Sequence, residues 1–185
     1  MKISKLYKYP IKSLTPVETE SLSLNSHGYI DGDRLFGFRF NNAGERTDLT
    51  WQRKTSFAAL MHMPQIASLK VNYNETERKI KIVSDGHTIV DGNVDSDREI
   101  IESKFTEYVL STDPELINKF PERFPFILVG GNDGNNFHDT PSGGVTLQSQ
   151  ESLEDLKKIT GFNLVHTRFR TNIIIEDCEP WNELN

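Results

Sequence analysis

The sequence has little cysteine and no long apolar run. Its 185 residues include a single cysteine, Cys178, which excludes an internal disulfide framework and a zinc site built from several cysteines. No segment approaches the ~20 consecutive apolar residues of a membrane-spanning helix, and the first residues lack the apolar centre of a secretion signal. We therefore expect a cytoplasmic protein that has no membrane partner.

Positive charge is also scarce. The 27 acidic and 21 basic residues give a formal net charge of −6. A chain with this excess of acid does not attract nucleic acid or anionic lipid through its overall field, so an anion site needs a local cluster of cations. The sequence also lacks the phosphate-binding glycine loop, the His-Glu-x-x-His helix and the Gly-x-Ser-x-Gly turn. It therefore predicts no catalytic residue and no metal ligand.

Apolar residues make up 36% of the chain and include 11 Phe, enough for one medium domain or two small ones. Short apolar or alternating segments predict strands at 3–9, 18–24, 34–40, 68–73, 79–83, 87–90, 126–129, 145–147 and 166–176. Capping residues predict two helices, at 96–108 and 151–160.

The connections between these elements predict the fold class. Hairpin-like links and the absence of alternating strands and helices favour an α+β fold of mostly antiparallel, barrel-like sheet. Residues 41–44 have the composition of a hairpin turn, and 55–63 of a short helix or irregular wall. A long polar loop at 130–144 is of a kind that often carries function. A boundary near 110–122 divides the chain into residues 1–115 and 116–185.

Two motifs place a cation beside a turn in the first half of the chain. Pro10 fixes a turn after the first strand and displays Lys12 and Ser13, a cation and a donor that suit an oxyanion. Arg34 enters an apolar strand directly after Asp33, and such an arginine must be paired or face a ligand. A solvated turn at Lys12 and a structural pair of Arg34 with Asp33 or Asp31 remain the alternatives.

Two further motifs carry adjacent or alternating cations. Gln52 and Arg53 follow a tryptophan and precede a lysine. Arg168 and Arg170 would share one face of the predicted strand 166–176, ahead of Asn172 and an apolar run. Such a pair suits the wall of an anion pocket, although a surface charge pair explains it equally well.

The motifs around Lys12, Arg34, Gln52 and Arg168, taken in this order, resemble the MOSC proteins, named after the C-terminal domain of molybdenum cofactor sulfurase. The similarity is greatest to the subgroup with an N-terminal β-barrel, which includes the amidoxime-reducing components. It covers essentially the whole chain and includes the ending Pro180-Trp181-Asn182-Glu183. It implies an N-terminal barrel in residues 1–115 and the opening part of a MOSC barrel in 116–185.

The resemblance also implies a cofactor and a set of residues that bind it. The expected ligand is the molybdenum cofactor, whose pterin and phosphate the family holds; pyridoxal phosphate binding is a further family-level expectation. The matching positions here are Lys12, Ser13, Arg34, Gln52, Arg53, Arg168, Arg170 and Asn172. Of these, Gln52 and Arg53 match a family stretch near the same cleft. Thr171 replaces the proline that the family has between the arginine and the asparagine.

One departure bears on activity. The family's molybdenum ligand is a cysteine in a segment beyond the last residue here, and Cys178, flanked by acidic residues that oppose a thiolate, does not match it. We therefore expect a shortened form from which the cofactor is absent. Its last strand would expose an edge that pairs with another copy or folds back on the first domain.

The resemblance implies an oxidoreductase that reduces N-hydroxylated compounds and takes electrons from a ferredoxin-like domain, a flavoprotein or a cytochrome. This chain would bind the cofactor but be inactive. The alternatives are a non-catalytic module that binds or carries a pterin or another small anion, and a structural barrel that binds no ligand. Nothing in the sequence identifies the substrate.

Overall fold

A computed structural model describes residues 1–131 and 137–184, and within them it has nine strands and three α-helices. The strands are Lys2–Lys8 (β1), Val17–Thr19 (β2), Phe36–Arg39 (β3), Lys70–Asn74 (β4), Lys79–Ser84 (β5), His87–Asn93 (β6), Ile127–Gly130 (β7), Leu147–Ser149 (β8) and Ile173–Glu176 (β9). The helices are Arg98–Thr112 (α1), Glu115–Lys119 (α2) and Gln150–Thr160 (α3).

The strands form three sheets. The first has the order β2-β1-β9-β8, the second joins β3 to β7, and the third is the meander β4-β5-β6. Every pairing is antiparallel except that of β8 with β9. The α+β class with mostly antiparallel sheet is confirmed. The described strands do not close into one barrel, which corrects the barrel-like expectation.

The meander β4-β5-β6 matches its predicted strands closely. Alternation places Ile80 and Ile82 of β5 in the core, together with Val71 of β4 and Val90 of β6. The turn between β5 and β6 has Asp85 and Gly86 in the left-handed region, as a tight two-residue turn requires. Local residue pattern and turn chemistry agree here, so the sequence was sufficient to predict this unit.

Helix α1 packs against β7 and contributes Phe105 to the aromatic core. Its Glu102 accepts a hydrogen bond of 2.7 Å from the Leu128 backbone N–H. Phe105 of the same helix stacks on Phe38 of β3 with ring centroids 3.7 Å apart, and Phe126 packs against Phe105 edge-on. The core therefore joins residues from both sides of the predicted boundary at 115; that boundary, at the start of α2, stays a prediction.

The predicted strand 166–176 is wrong over its first half. The structure has a 3-10 turn at His166–Phe169, and only β9 is extended. Arg170 adopts a left-handed φ of 56°, which a strand cannot continue through. Arg168 and Arg170 therefore do not share a strand face.

The expectation of an exposed edge at the last strand is also wrong. Strand β9 lies between β1 and β8, and its antiparallel pairing with β1 is the fold-back on the N-terminal segment that was the other alternative. Within the described residues β9 thus has a strand on each side.

Smaller predictions had mixed outcomes. Residues 41–44 form a 3-10 turn at Asn41–Ala43 and not a hairpin, and 55–63 are irregular. Helix α2 was not predicted, whereas α3 begins at its predicted cap, Ser149, and ends at Gly161. Of the polar loop 130–144, residues 132–136 lie outside the described part. In the described ranges, none of the helices combines the length and the apolar character that crossing a bilayer requires.

Candidate functional site

All four predicted motifs contribute a residue to one cavity of about 250 Å³, which we call the cationic pocket. It lies between the loop after β1, the segment before β3, residues 54–61 and the segment before β9. Its lining residues are Lys12, Ser13, Arg34, Lys54, Ala59, Leu60, Met61, Phe137, Asp139 and Arg170. Four cations and one carboxylate therefore face a common space in a chain of net charge −6.

Lys12 is the most deeply placed of these cations. It is buried, and its Nζ donates to the Phe137 carbonyl at 2.9 Å and to Asp139 Oδ1 at 2.6 Å. An ammonium has three N–H donors, so one remains for a further acceptor. Burial lowers the pKa of Lys12, and the hydrogen bond that its ammonium donates to Asp139 opposes that shift.

Asp139 has the complementary role at the rim. Burial alone would raise the pKa of its carboxyl, but the hydrogen bond and charge of Lys12 outweigh this, and the pKa lies below its usual value. The side chain of Asp139 is 67% exposed, so this counter-ion faces solvent while Lys12 does not.

Arg34 is held by a buried carboxylate and a buried amide. Its Nη1 forms an ion pair with Asp33, which is the structural pair that the sequence allowed. The same nitrogen donates to Asn172 Oδ1 at 3.3 Å, and Nη2 donates to the Arg170 carbonyl at 3.1 Å. Arg34 thus lines the cationic pocket and is also fixed by its pairing with Asp33. That it contacts a ligand stays a prediction.

Asn172 lies behind the cationic pocket and does not line it. Fully buried, it donates to the Tyr7 carbonyl at 3.1 Å and to Asp33 Oδ1 at 3.2 Å. Its Oδ1 also accepts from Thr146 Oγ1 at 2.9 Å. Asn172 therefore positions Asp33 and Arg34 and would not itself touch a ligand in the pocket.

Arg170 carries the unsatisfied donor of the pocket. Its guanidinium lies 4.3 Å from the ring centre of Tyr9, and its Nη1 donates to the Leu14 carbonyl at 2.5 Å. Its Nη2 is buried with no hydrogen-bond partner in the described structure. Burial, together with the charge of Arg34, lowers the pKa of Arg170 to about 10. An anion in the pocket would satisfy this nitrogen.

The backbone is strained at the same place. Ser13, Arg34 and Arg170 have φ values of 69°, 52° and 56°, in the left-handed region that residues with a Cβ seldom adopt. Each such residue costs on the order of 1–3 kcal/mol, and such residues tend to cluster at functional sites. The three positions line one pocket, which indicates that the fold tolerates the strain to direct these side chains inward.

Besides Asn172, three more predicted site residues lie outside the cationic pocket. Arg168 lines an adjoining groove. Gln52 donates to the Ala43 carbonyl at 3.0 Å and so braces a loop, while Arg53 is exposed; neither lines the pocket or the groove. The motif does contribute its next residue, Lys54, which the prediction left out.

Sequence reasoning also missed Tyr9, Asp139 and His138. The guanidinium groups of Arg34 and Arg170 lie 5.0 Å and 4.3 Å from the centre of the Tyr9 ring, and burial raises the pKa of Tyr9 to about 12. His138 is buried, with Nε2 unpaired, and burial and the charge of Arg34 lower its pKa to about 4. The sequence signal for Asp139 and His138 is the long polar loop 130–144, a kind of loop that often carries function.

The donor set fits the anionic end of a cofactor better than a metal. Among the described residues, no group of three or more His, Cys, Asp or Glu could hold a metal ion. Cys178 lies at Glu151, 3.6 Å from its carboxylate, and loss of hydration together with this carboxylate raises the pKa of the thiol. The orphaned Arg170 Nη2, the spare Lys12 donor and Lys54 suit a phosphate, whereas no thiolate faces the pocket.

Comparison with known families identifies the N-terminal part of the chain. The family model of the MOSC N-terminal beta barrel domain matches residues 1–112, which is more than half of the sequence. No curated protein matches the chain. The matched segment contributes Lys12, Ser13, Arg34 and Lys54 to the cationic pocket. The chain therefore belongs to the family of proteins with a MOSC N-terminal beta barrel domain.

Proposed function

We propose that this chain binds the phosphate end of the molybdenum cofactor's pterin in the cationic pocket, as the cofactor-holding part of an oxidoreductase that reduces N-hydroxylated compounds. The observation that carries the proposal is the buried, unpartnered Arg170 Nη2 beside Lys12 and Arg34 in one cavity. A buried donor without an acceptor costs about 1–3 kcal/mol, so a bound oxyanion would recover a real loss.

Each residue has a separate part in this binding. Lys12 and Arg170 would contact the anion from the buried side, Lys54 from the exposed side, and Ser13 would donate its hydroxyl proton. Asn172 and Asp33 keep Arg34 in place. When bound, the cofactor supplies two-electron redox chemistry at its metal; the electrons would come from a ferredoxin-like domain, a flavoprotein or a cytochrome.

The test is titration of the chain with molybdopterin and with its dephosphorylated form, followed by pterin fluorescence. We expect the phosphorylated form to bind more tightly. Lys12→Met or Arg170→Met should weaken its binding about tenfold to a hundredfold, the loss of one charge-assisted contact, and leave the dephosphorylated form unaffected. Equal affinity of the two forms would contradict the proposal.

Two controls keep this test interpretable. Lys104 and Lys79 are half exposed and do not line the pocket, and each makes an ion pair with a carboxylate on its own side of the molecule, so Lys104→Met and Lys79→Met remove a cation without removing a pocket contact. Lys54→Ala changes an exposed pocket residue and tests the site even if a buried variant fails to fold. If Lys104→Met weakened binding of the phosphorylated form as much as Lys54→Ala does, the binding would depend on the overall charge of the protein and not on the pocket.

A second candidate is a module that holds such an anion without chemistry. The raised pKa of the Cys178 thiol and its hydrogen bond to Glu151 favour it, because this cysteine is unsuited to ligating a metal. The two functions differ in one measurement. A chain loaded with cofactor that binds N-hydroxylated compounds and reduces them with a chemical reductant is an enzyme, and one that holds the cofactor without turnover is a carrier.

A further inference from the structure

Residues 41–53 form a closed loop next to the cationic pocket, and we call this segment the rim loop. It leaves β3 and returns alongside it, because the Phe40 backbone N–H donates to the Ser56 carbonyl at 2.9 Å. Lys54, which lines the pocket, directly follows the rim loop in the sequence. Compact loops whose ends meet in this way often carry function.

A buried guanidinium fixes the rim loop from inside. Arg39 of β3 is 1% exposed, and its Nη1 donates to the Asp48 carbonyl at 2.6 Å and its Nη2 to the Glu45 carbonyl. The Gln52 amide joins the two ends of the loop by donating to the Ala43 carbonyl at 3.0 Å. The donors of a guanidinium form a rigid fork, so the two carbonyls that it binds are held at a fixed spacing. The rim loop is therefore a firm frame.

The rim loop is also anchored to the rest of the fold. Arg46 forms an ion pair of 3.0 Å with Glu102 of α1. The same carboxylate accepts from the Leu128 backbone N–H of β7. A displacement of the rim loop would therefore break its contact with α1.

Trp51 connects this frame to the wall of the cationic pocket. Its indole Nε1 donates to the His138 carbonyl at 3.1 Å, across 87 positions of sequence. The next residue, Asp139, accepts from Lys12 Nζ at 2.6 Å, and the preceding residue, Phe137, accepts from the same nitrogen at 2.9 Å. This short segment is therefore held by two partners, Lys12 in the pocket and Trp51 on the rim loop.

Asp139 is the group that an anion approaching Lys12 has to displace. Its side chain is 67% exposed, whereas that of Lys12 is 3% exposed. An exposed carboxylate gains little from an ion pair, because holding it in one geometry costs side-chain and backbone entropy. A tether on the adjacent peptide group lowers that cost, and the Trp51 hydrogen bond supplies such a tether.

We propose that Trp51 is a positioning residue, which holds Asp139 against Lys12 and thereby sets how strongly the cationic pocket resists anions. The inference rests on the proposed anion site and adds a control over which anions enter it. A tethered Asp139 excludes an anion that contacts only Lys12. It admits one that also reaches Arg170 and Lys54, because the further contacts offset the lost ion pair.

The experiment is a double-mutant cycle of Trp51→Phe and Asp139→Asn, in which the 185-residue chain is titrated with sulfate by calorimetry at pH 7. Trp51→Phe removes the N–H donor and keeps an aromatic ring. We expect it to bind sulfate about threefold more tightly, the effect of one lost hydrogen bond, and Asp139→Asn to bind about tenfold more tightly. The double variant should match Asp139→Asn alone, because Trp51 acts only through that carboxylate. The number of sulfate ions bound per chain shows that each variant is folded.

The matched control is Trp181→Phe. Trp181 is 37% exposed, close to the 41% of Trp51, and its Nε1 donates to Asp155, outside the cationic pocket. This control should leave sulfate affinity unchanged. It also leaves Trp51 as the only tryptophan of the chain, so its indole emission should change as sulfate binds. Adding Asp139→Asn should abolish that change, whereas a tryptophan that only stabilises the fold would not report on Asp139.

Three results would overturn the positioning role. They are unchanged or weaker sulfate binding in Trp51→Phe, a double variant that binds more tightly than Asp139→Asn, and an effect of Trp181→Phe as large as that of Trp51→Phe. In each case sulfate still binds, so the anion site stands. If the original chain binds no sulfate, the anion site fails, and the positioning role fails with it.

Discussion

Lys12 and Asp139 form an ion pair whose two ends lie in different surroundings. The lysine side chain is 3% exposed and the aspartate side chain 67%, with 2.6 Å between Nζ and Oδ1. They are 127 positions apart in the sequence, so the fold and not local structure brings them together. Asp139 therefore already supplies a negative charge where a ligand phosphate would bind, and an incoming anion competes with it.

Removing this competition should strengthen anion binding. Asp139→Asn leaves the side-chain shape nearly unchanged but withdraws the negative charge, and we expect sulfate affinity to rise about tenfold, or about 1.4 kcal/mol. Calorimetric titration at pH 7 measures it, and sulfate serves because it stays a dianion there. Glu107→Gln is the control, because Glu107 is also 67% exposed and lies on α1, away from the pocket. Unchanged or weaker binding in Asp139→Asn would show that Asp139 is not a competitor.

Relieving backbone strain at the pocket should separate stability from binding. Glycine has no Cβ and adopts the left-handed conformation of residue 13 without steric strain. For Ser13→Gly we therefore expect the free energy of unfolding to rise by up to about 1 kcal/mol. The loss of the hydroxyl should weaken sulfate binding severalfold. Chemical denaturation and calorimetry give the two numbers.

Asp85→Gly is the control for that variant. Asp85 has a φ of 48° in the turn between β5 and β6, far along the chain from the pocket residues. It should give a similar gain in stability with no change in sulfate affinity. A Ser13→Gly variant that loses stability would contradict the strain argument.

The parts of the fold set by local pattern could be predicted from the sequence. The meander β4-β5-β6 follows from alternation and the Asp85-Gly86 turn, and α3 follows from Ser149 and Gly161 at its ends. The 3-10 turn at His166–Phe169 could not be predicted, since it depends on distant contacts: His166 hydrogen-bonds to Gln148 and Gln150. Propensity favoured a strand there, and tertiary contacts override propensity.

The candidate site shows the same division. Lys12, Ser13 and Arg34 could be predicted as site residues because a cation at a turn or before an apolar strand can be recognised in the sequence itself. Asp139 could not, because its role comes from meeting Lys12 across the fold. Gln52 was predicted as a site residue because it belongs to the same motif as Arg53. In the structure its amide donates to the Ala43 carbonyl.

Loss of the buried Asn172 amide should damage both the fold and the pocket. In Asn172→Leu, the leucine has a similar size but removes one of the two acceptors of Arg34 Nη1 and one of the two acceptors of the Thr146 hydroxyl. It also removes the amide that donates to the Tyr7 carbonyl and to Asp33. We expect the free energy of unfolding to fall by about 2–4 kcal/mol and Tm by roughly 5–15 °C. Differential scanning calorimetry measures the change. The control is Asn118→Leu, at an exposed position of α2, which should change Tm by little. If Asn172→Leu lowers Tm by no more than Asn118→Leu does, Asn172 has no positioning role.

His138 should make stability depend on pH between about 4 and 6.5. Burial first, and then the charges of Arg34 and Lys12, lower its pKa to about 4, while Asp33 and Asp139 oppose the shift. In the unfolded chain its pKa is about 6.5, so between these values the unfolded state binds a proton that the folded state does not. Stability contributed by neutral His138 is therefore complete above pH 6.5 and is lost as pH falls toward 4.

The variant His138→Leu isolates this contribution from other titrating groups. Between pH 7 and pH 5 we expect the original chain to lose about 2 kcal/mol of unfolding free energy more than His138→Leu does. This is the difference in proton binding between the unfolded and the folded state, integrated over that pH interval. Urea denaturation at the two pH values measures both chains. Parallel losses in the two would mean that His138 is protonated in the folded state. Its buried, unpaired Nε2 would then carry a proton that the Coulomb repulsion from Arg34 and Lys12 opposes.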